Sequence, residues 1–207
     1  MVRALSRTGT LEESTPFEIE FFMHTSKTST SHPLRIDSVA VPGVGGRIGL
    51  TFCPGKKQTD ALSGVWDRSL DDDLKAVKAF GAVALVTLMP DSERQSLRVY
   101  PHQIRDKASE LGVEWYQLPI VDAGIPDQSF EELWAHAGSR LRALLKAGHN
   151  IVIHCKGGLG RTGTVAARLL IEFGLDPQIA IQSVRKARPG AIENNLQEHY
   201  ILELNGI

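Results

Sequence analysis

The segment NIVIHCKGGLGRTGTVAARLLIE, residues 150–172, constrains the fold more than any other part of the chain. A short apolar run of strand length leads directly into a glycine-rich loop, which leads into an apolar stretch of helical character. In this order, consecutive backbone N–H groups can form a concave anion site, to which the helix adds its positive N-terminal end. The segment therefore predicts a β-α unit with an anion-binding glycine loop at residues 155–161.

The remainder of the chain alternates strand-like and helix-like segments. Strand-like runs are RIDSVAV, RIGLTF, VALVTLM and VEWYQLPI, with helical patterns between and after them. One helix is predicted to begin with a capping box formed by Ser129 and Glu132. The alternation predicts an α/β fold with a mostly parallel central sheet flanked by helices. We expect a partly irregular N-terminal extension at residues 1–33 and a single domain at residues 34–207.

Charge and cysteine content exclude several classes of protein. The chain has 207 residues and a net charge of −1, so no overall basic field attracts nucleic acid or an anionic membrane. No apolar run reaches membrane-spanning length, and the N-terminus lacks the apolar core of a signal peptide. Two cysteines make no disulfide framework, and no Cys/His cluster has metal-ligand spacing. We expect a cytoplasmic protein without metal or cofactor and without a nucleic-acid or membrane partner.

Cys155 lies at the base of the glycine loop, and Arg161 lies at its end. Gly157, Gly158 and Gly160 permit the backbone angles and close approach that an anion site needs. The guanidinium presents a planar fork of donors that matches two oxygens of a phosphate. Because a thiol in an electropositive cradle at a helix N-terminus ionises readily, we expect a thiolate nucleophile. The predicted reaction is a two-step displacement through a phosphocysteine intermediate.

Two adjacent side chains are candidates for supporting roles. His154 could hold the loop by hydrogen bonds to backbone carbonyls, and Thr162 could donate a hydrogen bond to the leaving thiolate. Other interpretations fit less well. A nucleotide-binding P-loop needs a lysine that GLGRTG lacks, and a Rossmann fingerprint does not suit a late segment that begins with Cys. A structural cysteine alone would not account for the spacing to Arg161.

HCKGGLGRTG resembles the His-Cys-x5-Arg-[Ser/Thr]-Gly signature of cysteine-dependent protein tyrosine and dual-specificity phosphatases. LPIVDAGIPD, TFCPGKK and DLKAVKAFGAVALVTLM resemble the kinase-associated branch of that superfamily. The resemblance implies a tyrosine-phosphatase-like fold, a catalytic domain at residues 34–207, and hydrolysis of phosphotyrosine or phosphoserine/threonine in a protein substrate. It also implies that the substrate phosphate is bound by the P-loop residues Lys156, Gly157, Gly158, Leu159, Gly160 and Arg161.

The same resemblance implies an acid on a mobile loop upstream, which protonates the leaving group and later activates water. Asp122 matches the family position, with Gly124 as a possible hinge. Asp127 is the alternative, although it could simply begin a helix. In tyrosine-specific relatives a glutamine positions the hydrolytic water. Here Glu193 takes that place with Gln197 four residues on, so we name both as supporting residues and leave the assignment open.

Several features allow two interpretations. Lys156 could contact a lipid phosphate or be a solvated loop residue, and Arg185, Lys186 and Arg188 could meet substrate charge or form a solvated helix end. Cys53 is either a core residue or a redox partner that traps oxidised Cys155 as a disulfide. Two functional alternatives stay open: an enzyme for a non-protein phosphate such as a phosphoinositide, and a non-catalytic module that binds phosphorylated residues. The sequence does not predict the oligomeric state.

Overall fold

The computed structural model describes residues 26–204. This part of the chain contains seven strands and seven helices. The strands are β1 (Asp37–Ala40), β2 (Arg47–Phe52), β3 (Lys57–Gln58), β4 (Trp66–Asp67), β5 (Ala82–Thr87), β6 (Glu114–Gln117) and β7 (Asn150–Cys155). The helices are α1 (Leu70–Ala79), α2 (Asp91–Ser96), α3 (Pro101–Glu110), α4 (Gln128–Lys146), α5 (Gly160–Glu172), α6 (Pro177–Ala187) and α7 (Asn195–Glu203).

The main sheet has five strands in the order β1-β2-β7-β5-β6. Strands β2, β7, β5 and β6 run parallel, and β1 joins the edge antiparallel. Ile151, Val152 and Ile153 in β7 have no exposed surface, as expected for a central strand that is covered on both faces. The predicted α/β fold with a mostly parallel sheet between helices is therefore confirmed.

The register of the sheet brings the carboxyl ends of three strands together. Phe52 of β2 lies opposite Cys155 of β7, and Thr87 of β5 lies opposite His154. The loops that follow these strands therefore meet at one edge of the sheet. In open α/β sheets this edge is the usual place for a ligand site.

The start of α4 differs from the prediction. The predicted capping box of Ser129 and Glu132 is wrong, because Asp127 is the N-cap and its Oδ1 accepts a hydrogen bond from the Phe130 N–H at 2.9 Å. Aspartate caps a helix as well as serine does, and it lies two residues earlier in the chain. Ser129 is therefore inside the first turn.

Residues 26–33 contact the body of the domain. Lys27 forms a β-bridge with Trp66, and the Nη1 atom of Arg68 donates to the carbonyl of His32 at 2.6 Å. The division at residue 33 between extension and domain stays a prediction, and residues 1–25 of the expected extension lie outside the described residues. Between residues 26 and 204, no helix combines the length and apolar character needed to span a membrane.

Candidate active site

Cys155 ends β7 and lies at the bottom of the glycine loop with 3% of its surface exposed. The backbone N–H of Gly158 donates to its Sγ atom at 3.2 Å. Gly158 has a φ of +72°, and a Cβ atom there would lie 2.3 Å from the backbone of Thr51 in β2. Only glycine fits this position, because both the left-handed angle and the close approach exclude a side chain.

The glycine loop is braced from outside by an arginine. Arg188, at the end of α6, donates from Nη2 to the carbonyl of Gly157 at 3.2 Å and from Nε to the carbonyl of Gly158. Its Nη1 atom lies 2.7 Å from a carboxylate oxygen of Asp37 in β1. Because these carbonyls are held outward, N–H groups of the loop are free to face the interior of the cradle. Arg188 is therefore not part of a solvated helix end, and its contact with substrate charge stays a prediction.

Helix α5 begins at Gly160 and points its N-terminal end at the loop. A helix N-terminus carries a partial positive charge, which favours an anion at this position. A Cβ atom at Gly160 would lie 2.6 Å from the Oε1 atom of Glu193, so the segment before α7 packs tightly against this end of the helix. The Glu193 carboxylate thus lies beside the N-terminal end of α5, where the glycine loop ends.

Arg161 is buried, and a carboxylate that the sequence did not single out anchors it. Its Nη1 and Nη2 atoms donate to the two carboxylate oxygens of Glu93 in α2, the second bond being 2.8 Å long. Nη1 also donates to the carbonyl of Ile120 at 3.2 Å. Burial by itself would lower the pKa of Arg161, but the hydrogen-bonded Glu93 and the charges of Cys155 and Asp122 raise it above its ordinary value. The guanidinium is therefore a fixed positive charge.

Asp122 lies on the acid loop (residues 119–127), and 66% of its side chain is exposed. Its Oδ1 atom accepts a hydrogen bond from Nη2 of Arg161 at 2.8 Å. The next residue, Ala123, has a φ of +56°, an uncommon angle for a residue with a Cβ atom. Asp127 instead caps α4. The structure thus brings Asp122, rather than Asp127, to the glycine loop.

The acid loop is tied to the start of α7 by two side-chain amides. Asn194 donates from Nδ2 to the carbonyl of Ala123 at 2.9 Å, and Gln197 donates from Nε2 to the carbonyl of Gly124 at 3.2 Å. Gln197 is fully buried, and its Oε1 atom accepts from the N–H of Glu193 at 3.1 Å. Both ends of this amide are therefore occupied by backbone groups. Asn194 was not predicted, because its contact joins residues that are 71 positions apart.

His154 is fully buried beneath the site. Its Nε2 atom lies 2.7 Å from Oγ1 of Thr87, which also accepts a hydrogen bond from Nε1 of Trp115 at 2.9 Å. Burial lowers the pKa of His154 to about 3, so the ring is neutral at physiological pH. Its Nδ1 atom lies 3.5 Å from the Cys155 carbonyl, the one backbone carbonyl that it approaches among the described residues.

The remaining predicted residues lie at the same edge of the sheet. Thr162 is buried on α5, and its Oγ1 atom has no hydrogen-bond partner among residues 26–204, so its proposed bond to the thiolate stays a prediction. Leu159 is the N-cap residue of α5, and the carbonyl of Lys156 accepts from the N–H of Cys53 at 3.3 Å. The predicted loop residues therefore occupy one continuous turn between β7 and α5.

Cys53 follows β2 directly and lies beside the glycine loop. Both cysteines are free thiols and both are buried. Burial, opposed in part by the charges of Lys56 and Arg94, raises the pKa of Cys53 to about 12. The end of β2 thus places Cys53 beside the glycine loop, but its thiol stays protonated at neutral pH, and its redox role stays a prediction.

Comparisons with known proteins converge on one family. A family model described as the DSP-PTPase phosphatase domain of a Swiss Army Knife protein matches residues 61–201, a range that includes the acid loop and the glycine loop. Cyclin-dependent kinase inhibitor 3 of Rattus norvegicus is 32% identical over 159 residues, covering 75% of this chain and 70% of the relative. Tyrosine-protein phosphatase CDC14 of Saccharomyces cerevisiae is 31% identical over 107 residues, covering 51% of this chain and 19% of the relative.

Solved structures show the same likeness. The chain superposes on kinase-associated phosphatase, crystallised with its catalytic cysteine replaced by serine, with a TM-score of 0.71 and 29% identity, covering 83% of this chain and 93% of the other. The active form of Tk-PTP gives a TM-score of 0.58 and 26% identity, covering 82% of this chain and 98% of the other. The geometry around Cys155 thus occurs within a fold that these phosphatases share.

Proposed function

The chain belongs to the dual-specificity family of cysteine-dependent protein phosphatases, and on this basis we propose the roles that its own residues take in hydrolysis. The observation that carries the proposal is the meeting of three groups at one sheet edge. Cys155 receives a hydrogen bond from the Gly158 N–H, and Arg161 contacts Asp122 across the mouth of the same loop. A nucleophile, a fixed cation and a carboxylate are thereby gathered around one anion site.

The substrate phosphate enters the glycine loop and is bound by N–H groups of residues 156–161 and by Arg161. The Nε–H of Arg161 has no partner within residues 26–204, so it can donate to the phosphate at once. A second donor, Nη2, becomes available when the phosphate displaces Asp122. Glu93 keeps the guanidinium in place during this exchange. These preorganised donors stabilise the charge that develops on the equatorial oxygens.

Cys155 then attacks phosphorus, and the S–P bond forms as the bond to the leaving oxygen breaks. Asp122, released from Arg161, takes up a proton from the surrounding water and transfers it to that oxygen, so the protein side chain departs as a neutral alcohol or phenol. In the second step Asp122 takes a proton from water, which attacks the phosphocysteine and releases inorganic phosphate. Thr162 would donate to the departing thiolate. The Glu193 carboxylate, beside Gly160, and the second N–H of the Gln197 amide are the two candidates for orienting the water.

We propose phosphorylated tyrosine, serine or threonine in a protein as the substrate class. The named protein phosphatases among the relatives support this choice over a phosphoinositide. The test compares kcat/KM for phosphotyrosine and phosphothreonine peptides with that for a soluble phosphoinositide, using wild type and Cys155→Ser. Peptide hydrolysis that is lost in the variant supports the proposal. Hydrolysis of the inositol phosphate alone would favour the non-protein alternative, and phosphopeptide binding without turnover by wild type would favour a binding module.

We also propose a cytoplasmic location, where thiols stay reduced.

We further propose that Cys53 protects Cys155 during oxidation. Hydrogen peroxide would oxidise the Cys155 thiolate to a sulfenic acid. The Cys53 thiol would then form a disulfide with it and release water. The high pKa of Cys53 makes this step slow, so its product should accumulate over minutes. After peroxide, dithiothreitol should restore more activity to wild type than to Cys53→Ala, and equal recovery would refute the role.

A further inference from the structure

One buried cation in the described part of the chain has no carboxylate partner. Lys56 has 6% of its surface exposed, yet no carboxylate lies within ion-pair distance of its ammonium among residues 26–204. An unpaired buried charge is costly unless something else compensates it. The other buried cations are all paired with carboxylates: Arg68 with Asp73, Arg94 with Asp91, Arg161 with Glu93, Arg168 with Glu131 and Glu172, and Arg188 with Asp37.

Lys56 is held in place by two aromatic rings. Its Nζ atom lies 4.1 Å from the ring centroid of Trp66 and 5.0 Å from that of Phe52. The two rings pack against each other with their centroids 5.3 Å apart. Cation–π contacts of this kind position an ammonium but leave its three N–H donors without acceptors. The Nζ atom of Lys56 also keeps some solvent-accessible surface, unlike the unpaired Nε and Nη1 atoms of Arg94, which are fully buried.

This ammonium lies beside the reaction centre. Phe52, one of its two aromatic neighbours, is the register partner of Cys155. Burial, reinforced by the nearby charges of Arg68 and Lys156, lowers the pKa of Lys56 to about 8, although the thiols Cys53 and Cys155 act in the opposite direction. The surroundings of Lys56 are thus rich in cations, and an incoming anion would relieve their repulsion.

We propose that Lys56 is a specificity residue that binds a second negatively charged group on the peptide substrate, next to the phosphorylated residue. This inference rests on the proposed protein phosphatase function and refines it. The favoured substrate class is a phosphopeptide with an aspartate, a glutamate or a second phosphorylated residue close to the residue that is hydrolysed. The Phe52–Trp66 pair holds the ammonium ready, so little side-chain entropy is lost on binding.

The test uses paired phosphotyrosine peptides that differ at one neighbouring position, Asp in one and Asn in the other, with each flanking position tried in turn. Wild type, Lys56→Met, Lys56→Arg and Lys57→Met are compared. Lys57 is the matched control, because it is the next residue along, is exposed, and pairs with Asp67 in the β3–β4 hairpin. Hydrolysis of an aryl phosphate is measured for each sample, and urea unfolding checks that each variant is folded.

We expect wild type to prefer the Asp peptide at one flanking position by about tenfold in kcat/KM, mainly through KM, as for a hydrogen bond to a charged group. A phosphoserine at that position should increase the preference. Lys56→Met should lower the ratio to about one, Lys56→Arg should keep most of it, and Lys57→Met should leave it unchanged.

Two results would overturn the inference while leaving the phosphatase function intact. One result is that wild type hydrolyses aryl phosphate but shows no preference between the Asp and Asn peptides at any flanking position. The other result is an equal loss of kcat/KM for the Asp and Asn peptides in Lys56→Met. That loss would mean that Lys56 supports the glycine loop or the thiolate instead. Failure of wild type to hydrolyse even the aryl phosphate would contradict the proposed function itself.

Discussion

Asp122 and Arg161 form an ion pair, with Oδ1 of Asp122 2.8 Å from Nη2 of Arg161. Asp122, the proposed acid, and Arg161, the proposed phosphate-binding residue, are therefore bound to each other in the absence of substrate. In the proposed mechanism a phosphate dianion competes for the same guanidinium, and the released carboxylate takes up a proton before it reaches the leaving group. Substrate binding and delivery of the acid are thus coupled through a single contact.

Replacing Asp122 with Asn should lower kcat by about 100-fold or more, because the leaving oxygen then departs without a proton donor. Substrate binding should persist, since Arg161 keeps Glu93 and loses a competitor. Asp127→Asn is the matched control. Asparagine caps a helix as well as aspartate does, so α4 should stay intact and kcat should not change. The measurement is kcat for both variants on an aryl phosphate with a poor leaving group. A large loss of kcat in Asp127→Asn and none in Asp122→Asn would assign the acid to Asp127.

Glu93→Gln removes one carboxylate oxygen from the buried guanidinium of Arg161. Because the side chain of Glu93 is only 14% exposed, we expect a loss of about 2 kcal/mol in the free energy of unfolding. The fork of donors should also lose its fixed orientation, which lowers kcat/KM by about tenfold. Urea unfolding and kinetics are measured beside Glu110→Gln, because Glu110 is an exposed carboxylate that pairs with Lys107. Unchanged kinetics in Glu93→Gln would show that Ile120 and Asp122 are sufficient anchors.

Asn194→Asp separates two functions of one side chain. Oδ1 of Asn194 caps α7 by accepting from the Gln197 N–H at 2.9 Å, while Nδ2 holds the acid loop through the Ala123 carbonyl. Aspartate keeps the cap but removes the donor. We therefore expect an unchanged melting temperature and a several-fold lower kcat, with a smaller additional effect of Asp122→Asn in the double variant. Additive effects of the two substitutions would argue that the tie does not position Asp122.

The buried neutral His154 should make stability depend on pH. Its pKa is about 3 in the folded protein and about 6.5 in an unfolded chain. The unfolded chain therefore binds the proton more readily, and stability present above pH 6.5 is lost as the pH falls towards 3. Between pH 7 and pH 5 this loss is about 2 kcal/mol. In urea unfolding, the free energy of unfolding of His154→Gln should change with pH by about 2 kcal/mol less than that of wild type over this range. The exposed control His199→Gln should match wild type. An identical pH dependence of the unfolding free energy in all three proteins would refute this prediction.

The fold was predictable because its signals are local. Apolar runs of strand length and the glycine loop each lie within a few consecutive residues. The family signature supplied Cys155, Arg161 and Asp122 for the same reason. Ser129 and Asp127 show the limit of such signals, because two good capping residues lay two positions apart and only the chain path chose between them.

The supporting residues depend on contacts between distant segments. Glu93 reaches Arg161 across 68 residues, and Arg188 reaches Gly158 across 30. Neither lies in a motif, since a lone glutamate after a strand and an arginine at a helix end are ordinary surface features. Gln197 was singled out as a possible water-positioning residue, and only the structure reveals that its amide joins the N–H of Glu193 to the carbonyl of Gly124.

The measurement that tests the central claim most directly is hydrolysis of an aryl phosphate in the presence of a metal chelator, by wild type and by Cys155→Ser. The account predicts chelator-resistant turnover by wild type, a phosphorylated enzyme that can be trapped by rapid acid quenching, and neither in the variant. Turnover by Cys155→Ser near the wild-type rate, or wild-type turnover that the chelator abolishes, would contradict it.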